Sequence, residues 1–427
     1  MVSSLSNNST RYLFYGIMFV LICHSIAILL SQYYMKTSDD SSSSDWYSKL
    51  AFLTDIILTF ISIYLFFTYH RYFPFFINAC FVVMLVLVFI ASFNDLSLFS
   101  TTPTVFYSPK GLGSWLNFGL LYFAAEEKYT EKIFKFFKYL CYVLVVFNLA
   151  QIALVGTVSN RDIALNAIRD TTVVLLWVYP FFFLDNDDKT NIAKLVKYGL
   201  MLLITFFAFA IASRSYLLTM AIFIFIKLKR DLKEGQSTFI LLCMILMGGM
   251  AAYYVVVNID KFSTLKDLTS VFSGRMGEDS RSSQLKEFMD QYNWDKLFIG
   301  LGPSAKWNWT GDLRHPYQWL DNQFILVTWW FGLQTCIVYL AHLLYAVFKR
   351  NPLNLLKITN SKIIIIFWAL ACAGFGIYIT ISSSTYYYFI TLLIGLVTVN
   401  IRQVIIYQVQ NESYNNATQN TSIPQVP

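Results

Sequence analysis

Charge is scarce in this chain. Only 13% of its 427 residues are Asp, Glu, Lys or Arg, about half the roughly 25% of an ordinary soluble domain. With 56% hydrophobic residues, no fold in water could bury so much apolar surface, and a soluble enzyme is excluded. There is no Cys-x-x-Cys pair. Cys23, Cys80, Cys141, Cys243, Cys336 and Cys372 all sit inside apolar runs, as small buried hydrophobes do, so neither a disulfide framework nor a zinc site is expected. No Ala-x-Ala cleavage site follows the first apolar run, which reads as a retained anchor. Internal repeats are also absent, as are matching Gly- or Pro-broken runs in two halves, which weakens a secondary-transporter reading.

What is present is apolar length. A helix crossing about 30 Å of hydrocarbon needs roughly 20 apolar residues, and twelve runs approach that: 12–34, 50–69, 73–92, 111–125, 136–156, 171–184, 195–212, 216–226, 239–258, 323–348, 363–382 and 385–401. Those opening at 111, 171 and 216 are short, as broken, tilted or protein-buried helices are. The expected fold is an all-α integral membrane protein of about twelve transmembrane helices. Nine lie in 1–259, an external loop domain occupies 260–321, three more helices fill 322–402, and a disordered cytoplasmic tail follows over 403–427.

The net charge of +7 is read by its sidedness and does not point to nucleic acid. With the N-terminus in the cytoplasm, eighteen cations fall inside: Arg11, Arg71, Lys128, Lys132, Lys135, Lys138, Lys189, Lys194, Lys197, Lys227, Lys229, Arg230, Lys233, Lys349, Arg350, Lys357, Lys362 and Arg402. Outside, once the long loop is set apart because long loops translocate regardless of charge, six remain.

That loop is the one hydrophilic domain, with eight Lys or Arg and nine Asp or Glu in 260–321. Leu285, Phe288, Met289 and Tyr292 recur at helical spacing, which predicts an amphipathic helix on the membrane surface or on the bundle. Leu297-Phe298-Ile299-Gly300-Leu301-Gly302-Pro303 reads as turn chemistry. It lacks the strand–helix context and the Lys-Ser/Thr of a nucleotide loop. Trp307, Trp309, Tyr317, Trp319 and Asn322 then gather near the mouth of the tenth run with His315 and Asp321. Aromatic planes beside amide and carboxylate groups suit the apolar faces and hydroxyls of sugars. An interfacial aromatic belt accounts for the tryptophans equally well. Arg214, between two apolar runs, either binds an anion such as phosphate or snorkels to headgroups. Arg275 and Arg281 are on the same expected side, as are Arg161 and Arg169. His24 and His342 lie within spans and read as core histidines, and His70 adjoins the cytoplasmic end of the second span.

Three local patterns resemble the O-antigen polymerase and O-antigen ligase superfamily, whose polymerase branch is called Wzy. They are Ser213-Arg214 at the outer end of a span, Arg281 before Leu297-Phe298-Ile299-Gly300-Leu301-Gly302, and the span entry Asp321-Asn322-Gln323-Phe324 followed by Gly332. The resemblance implies a GT-C-like glycosyltransferase of the bacterial inner membrane with its active site on the periplasmic face. It implies inverting, metal-independent transfer with no cofactor. Donor and acceptor would both be oligosaccharides linked to undecaprenyl pyrophosphate, and a chain-length regulator would be a further partner. Arg214, Arg281 and Arg275 would bind pyrophosphate, His315 or Asp321 would take the acceptor proton, and Trp307, Trp309, Tyr317, Trp319 and Asn322 would bind sugar. The entry Asp321-Asn322, without the ligase's His-Asn, favours a polymerase over a ligase transferring glycan to lipid A core. A lipid-linked oligosaccharide flippase is the alternative from another class, and it has no need of a large external loop rich in Trp and Arg.

Overall fold

In the computed structural model of the chain, residues 7–37, 44–93, 112–155, 161–185, 191–210, 214–233, 280–303, 305–310, 320, 322–350, 355–375 and 385–400 are described. Every regular element among them is helical: α1 Asn7–Thr37, α2 Ser44–Tyr69, α3 Phe75–Phe93, α4 Leu112–Leu116, α5 Glu127–Val155, α6 Arg161–Phe183, α7 Asn191–Ala210, α8 Arg214–Lys233, α9 Ser280–Asp290, α10 Gln323–Phe331, α11 Leu333–Phe348, α12 Leu356–Leu370 and α13 Thr385–Thr398.

Several helices are apolar on both faces, and α3 shows why that requires lipid. Ile77, Phe81, Met84, Val88 and Ala91 form its buried stripe at 3.6-residue spacing. The opposite face is equally apolar, with Phe75 87% exposed beside exposed Val82, Val86 and Phe89. A water-facing helix would be polar there. Five helices are long and apolar enough to cross a membrane, over Asn8–Leu30, Leu53–Tyr72, Phe75–Ser92, Glu127–Gln151 and Leu356–Ala373, and Val174–Phe183, Leu333–Phe348 and Tyr386–Thr398 are shorter apolar helices. The chain is thus a helical membrane protein.

Several expected runs change shape in the structure. The run at 136–156 belongs to a helix that opens at Glu127, and the run at 363–382 to one that opens at Leu356, because Lys and Glu are good helix formers at a polar helix end. The run at 111–125 is a five-residue helix followed by a 3-10 segment, Asn117–Ala125, with all nine residues buried. Such segments seldom exceed a turn. This one is packed from several sides by α2, α13, α4 and α5. Gly395 lets α13 approach it, since a Cβ there would stand 2.0 Å from the Leu121 carbonyl oxygen. The Thr59 hydroxyl donates to Asn117 Oδ1 at 3.0 Å, and one turn away the Tyr388 hydroxyl donates to Asp55 Oδ1 at 3.0 Å. His24 Nδ1 meets the Thr54 hydroxyl at 3.1 Å. Buried polar groups in lipid have to find such partners inside the protein. The run at 323–348 is two helices, broken at Gly332. The expected run at 239–258 lies outside the described residues.

Alternating helix direction gathers one set of helix ends. The Asn400 amide donates to the Tyr72 carbonyl, Lys349 Nζ to the carbonyls of Thr398 and Val399, and the Tyr69 hydroxyl to Glu126 Oε1 at 2.8 Å. Lys357 Nζ pairs with Glu131 at 3.2 Å. Arg230 donates to Asn360 Oδ1 at 2.6 Å and to the Leu184 carbonyl at 3.2 Å. Buried Lys227 pairs with Asp231 at 3.0 Å, which also accepts from the Tyr198 hydroxyl at 2.7 Å. These contacts join the ends of α2, α6, α8, α11 and α13 to the starts of α5 and α12, and draw in the first turns of α7. The cations expected on one side of the membrane therefore share one end of the bundle wherever their residues are described. Cys23, Cys80, Cys141, Cys336 and Cys372 are unpaired thiols.

Candidate functional site

The opposite end carries α9 and the segment that follows it. Phe288 is fully buried because α9 lies on the bundle. Its ring meets Trp329 of α10 at 4.9 Å and Trp307 at 5.3 Å, while Tyr292 meets Trp329 at 5.2 Å and Trp294 at 4.8 Å. The amphipathic spacing in the sequence points to this face. The polar flank of α9 holds residues 305–310 in place. Gln291 Nε2 donates to the Asn308 carbonyl at 2.7 Å and its Oε1 accepts the Asn308 amide at 2.9 Å. Glu287 accepts the Thr310 amide at 2.9 Å and the Thr310 hydroxyl at 2.8 Å. Glu287 in α9 and Gln291, just past its last residue, lie four positions apart, a spacing that marks this polar flank in the sequence.

The Gly-x-Gly segment serves the break between α10 and α11. A helix that stops leaves its last carbonyls without partners, and one that starts leaves its first amides so. Here the turn supplies both. Leu301 and Gly302 donate their amides to the carbonyls of Trp329 and Trp330, each at 2.9 Å, and the Leu297 carbonyl accepts the Leu333 amide at 2.8 Å. This is how interrupted helical backbone is tolerated in a membrane protein. Glycine is obligatory on both sides. Gly332 has φ 86° and ψ 159°, a region essentially closed to other residues, and a Cβ on it would stand 2.1 Å from the Phe298 carbonyl oxygen. Gly300, with φ 80°, would put a Cβ 2.4 Å from the Trp330 carbonyl oxygen.

The expected site residues are divided by this geometry. Asn322 caps α10: its Oδ1 accepts the amides of Phe324 and Ile325, both at 3.1 Å, and its Nδ2 donates to the Ala373 carbonyl at 3.2 Å. Those bonds give Asn322 a structural task where a sugar contact was expected. Trp307, only 3% exposed, is packed on Phe288 and offers no open ring face. Trp309 is half-buried, its ring 6.5 Å from that of Trp307. Arg281 lies in the first turn of α9 and Arg214 opens α8. Arg275, His315, Tyr317, Trp319 and Asp321 lie outside the described residues, as do the side chains of Arg214 and Arg281.

Two further groups mark this end. The Trp329 indole N–H is buried and has no acceptor among the described residues. Burial also pushes the Tyr292 phenol above its ordinary value, so it stays a neutral donor. His342, set aside as structural, is fully buried with Nδ1 against the Val338 carbonyl at 3.0 Å. His24 is likewise buried, and His70 is exposed with Nδ1 3.0 Å from the Phe66 carbonyl. Among the described residues no three His, Cys, Asp or Glu stand close enough to share a metal ion. No family model matches the chain, and no curated protein or solved structure is significantly similar to it.

Proposed function

We propose that the chain is a glycosyltransferase that polymerises lipid-linked polysaccharide repeat units, of O-antigen or capsule type, at the outer face of a bacterial inner membrane. The observation that carries this reading is the junction at Gly332. Two of the three segments that resemble the polymerase superfamily, the Gly-x-Gly turn after α9 and the Asn322-to-Gly332 entry, are joined there by backbone hydrogen bonds, and Arg281 is at the start of the helix packed on them. Helix breaks at membrane depth are tolerated where protein buries them or where they line a cavity, and in many membrane proteins they lie beside the polar substrate. The cation-rich opposite end fits the cytoplasmic side.

In the proposed reaction, a hydroxyl oxygen of one lipid-linked repeat attacks the anomeric carbon at the reducing end of the donor glycan, from the face opposite the leaving group. A new C–O bond forms as the bond from the anomeric carbon to the pyrophosphate oxygen breaks, and the electron pair leaves with undecaprenyl pyrophosphate. The hydroxyl proton passes to His315 or Asp321. Arg214, Arg281 and Arg275 meet the charge developing on the pyrophosphate, in bidentate geometry that guanidinium favours. Trp309, Tyr317 and Trp319 are the aromatic residues left to face sugar.

The test is the lipid-linked species that accumulates when the gene is deleted. Single repeats outside the cytoplasm are expected. Long lipid-linked chains would reassign the protein as a ligase, and repeats retained on the cytoplasmic leaflet as a flippase. In the reconstituted reaction, His315→Ala or Asp321→Asn should lower the rate by about 10²–10⁴, whichever is the base.

A further inference from the structure

A second site stands at the cation-rich end, far from the junction at Gly332. There side chains from the first turns of α1 and α5 line a cleft of about 300 Å³, formed by Asn8, Arg11, Phe14, Tyr15, Lys128, Tyr129 and Lys132. Three cations line it and no carboxylate does. Of the acids at the start of α5, Glu126 accepts the Tyr69 hydroxyl and Glu131 pairs with Lys357, while Glu127, in the first turn beside Lys128, is not part of the lining. Among the described residues, Arg11, Lys128 and Lys132 form no ion pair. Aromatic faces hold them instead. Lys132 Nζ is 5.4 Å from the Tyr129 ring centre and 5.6 Å from that of Phe14, Lys128 Nζ is 5.9 Å from Tyr129, and Arg11 lies over Tyr15 at 5.6 Å while Nε donates to its hydroxyl at 3.2 Å. Phe14 and Tyr129 pack together at 5.0 Å and form the floor.

Like charges held this close repel one another unless an anion joins them. The first turns of two helices add positive dipole ends. The lipid-facing surface says what kind of anion. Tyr15, Phe19, Ile22 and Ile26 are all exposed at helical spacing and form an apolar track down α1 from the mouth of the cleft. A soluble phosphate has no use for such a track, whereas acyl chains do.

We infer that this cleft binds the phosphodiester headgroup of an anionic phospholipid, with Arg11, Lys128 and Lys132 on the phosphate and the acyl chains along α1. The inference depends on the membrane reading of the fold and not on the polymerase reading. Each cation near an anionic lipid contributes about a factor of five in affinity, so the three together contribute on the order of a hundredfold.

The full-length protein, delipidated in detergent, would be titrated with phosphatidylglycerol and phosphatidylcholine and bound lipid counted by native mass spectrometry. Phosphatidylglycerol should bind at least about tenfold tighter than phosphatidylcholine. The variant Arg11→Gln/Lys128→Gln/Lys132→Gln should lose that preference, while Lys135→Gln/Lys138→Gln/Lys229→Gln, with the same charge change outside the cleft, should keep it. Lys132→Gln alone, which leaves the aromatic floor intact, should weaken binding about fivefold and serves if the triple variant does not fold. Equal losses in the two triple variants, or no loss in either cleft variant, would overturn the site. Displacement of the lipid by inorganic phosphate or glycerol phosphate at equal concentration would overturn the lipid as its occupant.

Discussion

Replacing Gly332 with alanine attacks the one place where the external segment and the broken helix share backbone. The new Cβ would lie 2.1 Å from the Phe298 carbonyl oxygen and 2.6 Å from its carbon, both main-chain atoms that no rotamer change can move. The backbone at φ 86°, ψ 159° would itself cost about 1–3 kcal/mol with any side chain. If the turn retreats to relieve the clash, three backbone hydrogen bonds are lost, those of Leu301, Gly302 and Leu333, each worth about 1 kcal/mol net. The junction should then open more easily by about 4 kcal/mol, or several hundredfold at roughly tenfold per 1.4 kcal/mol. Hydrogen exchange in lipid nanodiscs reads this directly from peptides covering 297–302 and 329–333, where protection should fall at least about a hundredfold. Gly199→Ala is the control, since nothing lies within 4 Å of a Cβ there and a helix interior gains about 0.5–1 kcal/mol from the change. Protection at the junction within about threefold of the native protein would refute the argument that glycine at 332 holds the turn to the break.

Three other outcomes are expected. Asn322→Ala should destabilise α10 by about 1 kcal/mol, seen as faster exchange at Phe324 and Ile325, while Asn322→Asp keeps the cap; slow exchange in the alanine variant would return Asn322 to the sugar site. Burial, with Lys362 nearby as the second cause, pushes Lys349 down to about 8 from 10.5. Its charged form is therefore disfavoured by the fold, a penalty present in full below pH 8 and relieved as pH rises from about 8 toward 10.5. The unfolding temperature in detergent should climb across that window, and Lys349→Met should flatten the climb. Arg281→Lys and Arg214→Lys should each lose most of polymer synthesis at unchanged protein level, because ammonium lacks the planar fork. Full activity in both lysine variants would show that neither guanidinium grips pyrophosphate.

Composition by itself determined the solvent: with charge this scarce, only lipid could face helices such as α3, and the buried and exposed stripes of that helix are apolar alike. Periodicity likewise determined the bundle-facing side of α9, because Phe288 and Tyr292 follow the 3.6-residue repeat. One-sided cation placement was legible too, since it depends only on counting turns of chain between apolar runs. Tertiary structure decided everything that depends on distant segments meeting. Apolar content is the same on either side of Gly332, so a window of hydropathy reads 323–348 as one span; only the carbonyls of Trp329 and Trp330, paired with amides some thirty positions earlier, reveal the break. Asn322 and Trp307 have the residue types of a sugar site, but a cap and a ring contact with Phe288 occupy them. The cleft of Arg11, Lys128 and Lys132 was equally hidden, because residues more than a hundred positions apart become one electrostatic site only when the fold brings the first turns of α1 and α5 to one cleft.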